Sequence, residues 1–346
     1  MIVPAAHFSV LFLGIVAAVL VLDFAKIILA PIFLGVVIGL MFGPLADIIE
    51  RLRIPPWIAG AAVVLLFIAL LAVAIAGFAV PLSQWVDRLP VIWSRIEAEL
   101  ISWKGMVASM EALQEQVREA MGRSQANSVN VKDGSAVESA VENVAYLAPA
   151  ILAQIVVFLA SLYFFIATRH RFRVAVLSVC LDRGLRRRVS RIFRDIEHSV
   201  SRYLLSITGV NVALGLAVSA ALWALDVPSP LLWGMLAGVL NYIVYIGPAV
   251  MAAILLAVGL GTANDAMGIL MPAMVFLGLN LIEAQFVTPQ VLGHTMTLNP
   301  FIVFLTLTFW IWIWGPVGGF VAIPSLLILD AVIRTILPVP AARPGS

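Results

Sequence analysis

The chain has 346 residues, is 62% hydrophobic and 12% charged, and has a mean hydropathy of +1.08. Soluble domains carry about 25% charged residues, so the composition excludes a water-soluble globular protein and predicts an all-α polytopic membrane protein. A net charge of +2 gives no case for a nucleic-acid partner, and one cysteine, Cys180, excludes an internal disulfide or a cysteine-rich metal site.

A membrane-crossing helix needs about 20 apolar residues. Residues 1–81 contain three such segments, near 8–22, 27–43 and 57–80. The first 22 residues hold no Lys or Arg, unlike a cleavable signal peptide, so 8–22 is expected to be a retained helix. Residues 82–145 break the apolar pattern. From Trp85 to Met121 apolar residues recur at steps of three and four, the stripe of an amphipathic helix. A polar loop at 122–135 and a shorter helix follow. This segment holds six basic and nine acidic residues and is expected on the extracytoplasmic side.

A fourth span is expected at 146–167. Residues 168–203 then reverse the charge: 168–202 hold ten of the 21 basic residues and three acidic ones. Cytoplasmic loops are enriched in Lys and Arg, and anionic lipids would hold this amphipathic segment at the membrane surface. Counting spans outward from it places both termini, including the 337–346 tail, in the cytoplasm.

Residues 204–336 read as a transport region. Spans are expected near 204–225, 249–262, 266–287 and 316–336, eight in all. Between them, Pro230 to Gly247-Pro248 and Pro300 to Gly315-Pro316 repeat one layout: a proline, an apolar run of 16 or 14 residues, then Gly-Pro. Proline lacks an N–H and clashes with the preceding turn, so both segments are expected to be broken or re-entrant. Interrupted segments at corresponding places point to a transporter's substrate site. Two ordinary kinked helices are the plainer alternative.

The residues that carry chemistry lie in the same region. Glu283 sits in a lipid-like stretch, where a carboxylate costs roughly 2.5–3.5 kcal/mol on insertion scales. It would couple a proton or cation, or bind a polar solute. Alternatively it is a structural partner of an arginine such as Arg334, or of unwound backbone. Asn280, Gln285, Thr288 and Gln290 add polar groups that partly share its helical face. Asn241, Tyr242 and Tyr245 would wall the first broken segment or anchor it at the interface. Asn299 and Pro300 would open the second, whose helix N-terminus attracts anionic or hydroxylated groups. His294 reads as a solvated loop residue, Asp23 and Lys26 as a local pair, and Trp310, Trp312 and Trp314 as an interfacial belt.

No lysine follows a glycine, so there is no Walker A loop and no ATP-driven pump. No His-Glu-x-x-His or Gly-Asp occurs, and four scattered histidines suggest no metal cluster. No cofactor and no enzyme is expected, a distant Ser–His pair being the one enzymatic arrangement sequence leaves open. An envelope scaffold built on the 82–121 helix is the remaining alternative to transport.

The run Pro230-Leu-Leu-Trp-Gly-Met-Leu-Ala-Gly-Val-Leu-Asn-Tyr-Ile-Val-Tyr-Ile-Gly-Pro248 resembles the signature of the autoinducer-2 exporter family. So do Asn280-Leu-Ile-Glu283, Pro289, Gly293, Leu298-Asn299-Pro300, Trp314-Gly-Pro-Val-Gly-Gly319 and Ile323-Pro324. The span layout is similar too. The chain departs from the family at Val244, where a proline is usual and would force a break. The resemblance implies a secondary exporter of a small polar solute in the bacterial inner membrane. Autoinducer-2 export and sodium/proton antiport are the two activities it implies, driven by a proton or sodium gradient. It also implies a homo-oligomer, with five copies expected, and an elevator-like motion. It adds Pro289, Gly247, Pro248, Gly315 and Pro316 to the expected substrate or ion site.

Overall fold

The computed structural model describes residues 2–87, 90, 92–94, 136–292 and 299–336. Most of the striped 82–121 segment, the 122–135 loop, Gly293, His294, Leu298 and the 337–346 tail lie outside them. No strand occurs among the described residues. The helices are α1 (Ile2–Phe24), α2 (Lys26–Arg51), α3 (Pro56–Val86), α4 (Ala136–Val179) and α5 (Arg183–Ala224). After them come α6 (Pro230–Leu240), α7 (Ile246–Thr262), α8 (Ala266–Ile282), a π-helical turn (Glu283–Val287), α9 (Thr288–Leu292) and α10 (Pro300–Ile336). Among the described residues six helical stretches are long and apolar enough to cross a membrane, and this is a multi-pass membrane protein. The expected span at 8–22 lies within α1, and the one expected at 249–262 is a shorter apolar helix, Ile246–Thr262.

Local chemistry sets the ends of these helices. Pro56 opens α3, where its missing N–H costs nothing. Asp182 caps α5 by accepting from Leu185 N at 2.8 Å, and Asp265 caps α8 by accepting from Gly268 N at 3.0 Å. Nothing between Arg183 and Ala224 breaks a helix, so the basic segment runs straight into the span that follows it.

Lipid supplies no hydrophobic drive between helices, so close packing depends on small residues. Gly35 and Gly39 let α2 approach α4: an added Cβ would stand 2.9 Å from Phe158 O at Gly35 and 2.5 Å from the Phe165 ring at Gly39. The same device joins α5 to α6. A Cβ at Gly234 would lie 2.2 Å from Gly215 O, and one at Gly238 would lie 2.7 Å from Asn211 O. Leu214, Val218, Trp233, Ala237, Met251 and Phe276 fill the core shared by α5 to α8. Val37, Leu204, Ile207, Trp314 and Val321 fill the one between α2, α5 and α10.

Both broken segments fold back on themselves. In the first, residues 241–245 are non-helical and Tyr245 adopts φ +65°. The break therefore precedes Gly247-Pro248 and includes Val244, so it forms without the family's usual proline there. Gly-Pro opens α7 instead of ending the segment before it, because a first-turn proline loses no helical bond. In the second, α10 breaks at Gly315, with φ +59° and ψ −138°, and Pro316 starts the outgoing arm. A Cβ at Gly247 would stand 1.8 Å from Leu240 O, and one at Gly318 would stand 1.8 Å from Trp310 O. In both segments a glycine just past the break seats against a carbonyl of the incoming arm.

Candidate transport site

The tight α5–α6 contact sets two asparagines face to face. Asn211 lies four residues before Gly215 on α5, and Asn241 lies three after Gly238 at the end of α6. Asn241 Nδ2 donates to Asn211 Oδ1 at 2.9 Å and to Glu283 Oε2 at 3.4 Å. Asn280 Nδ2 donates to Asn241 Oδ1 at 3.1 Å and to the same Glu283 oxygen at 3.5 Å. Thr288 Oγ1 donates to Glu283 Oε1. Glu283 is 8% exposed and makes no ion pair among the described residues. Arg334, a partner considered from sequence, instead holds Asp330 at 2.8 Å.

The π-helical turn explains how Thr288 reaches Glu283. At about 100° per residue in an α-helix, positions five apart point roughly 140° apart. A π-turn runs its hydrogen bonds from i to i+5, and Glu283–Val287 is such a turn. π-Turns interrupt α-helices frequently at functional sites. Gln285 of the turn and Pro289 and Gln290 of α9 are exposed and stay out of this network.

A second hydrogen-bonded line runs beside the first. Tyr242 donates to Thr208 Oγ1 at 2.7 Å, and Thr208 donates to Leu204 O at 2.6 Å. The Tyr242 ring lies 5.2 Å from that of Phe320. A Cβ at Gly319 would stand 2.7 Å from Ile243. The outgoing arm of α10 therefore rests on the break between α6 and α7. The incoming arm meets the other side of that break: Val244 and Tyr245 share a cavity of about 330 Å³ with Phe304, Leu307, Thr308 and Trp312.

The remaining expected residues take other places. Asn299 is exposed and its Oδ1 accepts from Phe301 N at 2.9 Å, at the start of α10 beside Pro300. Gly247, Pro248, Gly315 and Pro316 shape backbone. Trp314 is buried, donates to Leu22 O at 3.1 Å and packs on Trp310 at 4.6 Å, so only Trp312 keeps a belt-like exposure. Asn211 and Thr208 join these lines without belonging to any motif in the sequence. Their signal was available, as polar side chains in the apolar run 204–225.

The sequence matches the AI-2E family transporter pattern across residues 8–337. The chain belongs to the AI-2E transporter family. Escherichia coli TqsA, an AI-2 transport protein, is 36% identical over 146 residues. That match spans 42% of each chain. A Haemophilus influenzae relative named for transport is 24% identical over 357 residues, covering 93% of this chain and 92% of its own. Escherichia coli YhhT, likewise named for transport, is 31% identical over 136 residues, 39% of this chain and 37% of its own. The polar network lies within the residues of the family match.

Proposed function

We propose that this AI-2E family transporter carries a small polar solute, coupled to a proton or sodium gradient, with Glu283 at the coupling centre. One observation carries the reading: a buried carboxylate in a helical stretch long and apolar enough to cross a membrane, hydrogen-bonded by Asn280 and Thr288 of that stretch and by Asn241 of the broken segment. Ionisable side chains in such positions mark ion or substrate pathways. Asn241, Asn280 and Thr288 are neutral, so they satisfy the carboxylate without cancelling its charge. A proton or a hard cation that prefers oxygen ligands can still add to it. Asn241 and Tyr242 sit in the broken segment, so a ligand that reorders the break also reorders the donors on Glu283. Autoinducer-2 is the first solute to test, because the relative TqsA is named for it. The reading also takes the basic end as cytoplasmic, the membrane as the bacterial inner membrane and the working unit as a homo-oligomer.

Flux in proteoliposomes tests this. Vesicles loaded with autoinducer-2 are given a pH or sodium gradient, and wild type is compared with Glu283→Gln. Gradient-dependent flux is expected in wild type and at least ten-fold less in the variant. Equal flux in both removes Glu283 from coupling.

A further inference from the structure

A second cavity opens at the basic end of the bundle. It measures about 500 Å³ and is walled by Phe164, Phe165 and Phe172 of α4, Phe193 and Ile196 of α5, and Ile328 of α10. Phe164 and Phe172 are more than half exposed, so the apolar wall is open along one side. Arg169 and Arg173 also line it. They are four residues apart on α4 and share one face.

The two arginines are used differently. Arg169 has a side chain 8% exposed and is held by Gly43 O at 3.0 Å, Asp47 at 2.5 Å, Glu50 at 3.1 Å and Glu197 at 3.6 Å. Its Nε is buried and has no acceptor. Arg173 makes no ion pair among the described residues and donates to Ser190 Oγ at 3.2 Å. Of the ten arginines in 168–202, Arg169 alone is ion-paired among the described residues. Arg173 is therefore the arginine of this lining that keeps no carboxylate partner among the described residues, beside an aromatic wall, while Glu197 of the same lining is taken up by Arg169.

An occupant must suit both features. A soluble phosphate would leave the phenyl walls unused. A zwitterionic phospholipid such as phosphatidylcholine also offers a phosphate, but brings a trimethylammonium beside the unpaired Arg173 guanidinium, which repels it. Guanidinium groups bind phosphate oxygens with strong, charge-assisted hydrogen bonds, and basic pockets between membrane helices suit anionic headgroups. We propose that this cavity binds one anionic phospholipid. Its phosphate is held at Arg173, and an acyl chain lies against Phe164, Phe172 and Phe193. This is a single defined site, distinct from the diffuse attraction that the basic segment exerts on any anionic surface. It does not depend on which solute is transported.

Native mass spectrometry of the full-length protein in detergent, titrated with phosphatidylglycerol or phosphatidylcholine of matched chains, tests the proposal. Wild type is expected to retain phosphatidylglycerol at least ten-fold better. Arg173→Gln should remove that preference, Arg173→Lys should keep most of it, and Arg188→Gln, outside the cavity, should leave it unchanged. Thr168→Trp, which fills the cavity without altering charge, should lower retention by a similar factor. Size-exclusion profiles identify the variants that remain folded, and only those are compared. Equal retention of both lipids overturns the proposal. So does equal loss in Arg188→Gln and Arg173→Gln, which would mean diffuse attraction. Glycerol phosphate without acyl chains should not compete; if it displaces the lipid at equal concentration, the site is one for soluble anions and the lipid assignment fails.

Discussion

Glycine does two different jobs at the second break, and the difference is measurable. Gly315 has open space where a Cβ would go, but its φ of +59° with ψ −138° suits glycine alone. Gly318 has ordinary helical geometry, but a Cβ there would stand 1.8 Å from Trp310 O. Gly315→Ala is therefore a conformational penalty of about 1–3 kcal/mol. Gly318→Ala forces backbone apart and is expected to lower the melting temperature in detergent further than Gly315→Ala. A thermal-shift comparison of the two decides it. Thr288→Val tests the carboxylate's own surroundings. It removes one neutral donor and leaves a buried acceptor short, at a cost of about 1–3 kcal/mol. Coupled flux is expected to fall several-fold, while Gln285→Ala, at an exposed position, should match wild type in the same vesicles.

At the scale of helices, the α5–α6 pair sets the distance between Asn211 and Asn241. The interface is made of Gly215, Ser219, Gly234 and Gly238, and backbone touches backbone along it. Gly238→Val would place a branched side chain against Asn211 O, where even a Cβ comes within 2.7 Å. Overpacking of this kind costs typically 1–3 kcal/mol. It should also pull Asn241 from Asn211, so flux is expected to fall more than stability does. The check is flux in vesicles normalised to folded protein. If Gly238→Val keeps wild-type flux, the spacing of these helices does not control the network. Asn211 itself is 2% exposed with Nδ2 unpartnered, and it donates to nothing in this conformation. The amide's acceptor is in use and its Nδ2 has no partner among the described residues.

Across the whole molecule, Arg169 ties α4 to α2 and α5 at the basic end, far along the chain from the Glu283 network. Removing one member of a buried ion pair is more damaging than the pair is stabilising, because the partners stay behind as buried charge. Glu50 is 17% exposed, while Asp47 and Glu197 reach more water, so the cost is below that of a fully buried pair. Arg169→Gln is expected to destabilise by on the order of 3 kcal/mol, seen as a lower melting temperature in detergent. Lys26→Ala breaks the exposed pair with Asp23 and should change the same melting temperature by less than the scatter between preparations.

Much of this fold was legible in the chain itself. Long apolar runs can only be satisfied in lipid as helices, because every backbone group there must bond within its own segment, so the all-helical membrane class follows from composition and pattern. Glu283 stood out for the same reason, as a costly group in an apolar setting. The two Gly-Pro layouts announced two breaks, and the second falls at its Gly315-Pro316; the first lies earlier than its Gly-Pro, at 241–245, because a proline is harmless in the first turn of the helix that follows. Three-dimensional packing decided the rest. The π-turn that swings Thr288 onto Glu283 has no local sequence rule, and Gln285, beside Glu283 in sequence, faces away. Asn211 joins the network across thirty residues only because glycines on two helices let backbones touch. The Arg169 hub and its aromatic cavity likewise combine residues from separate helices, and their meeting depends on which faces pack, a property of the assembled bundle and of no single segment.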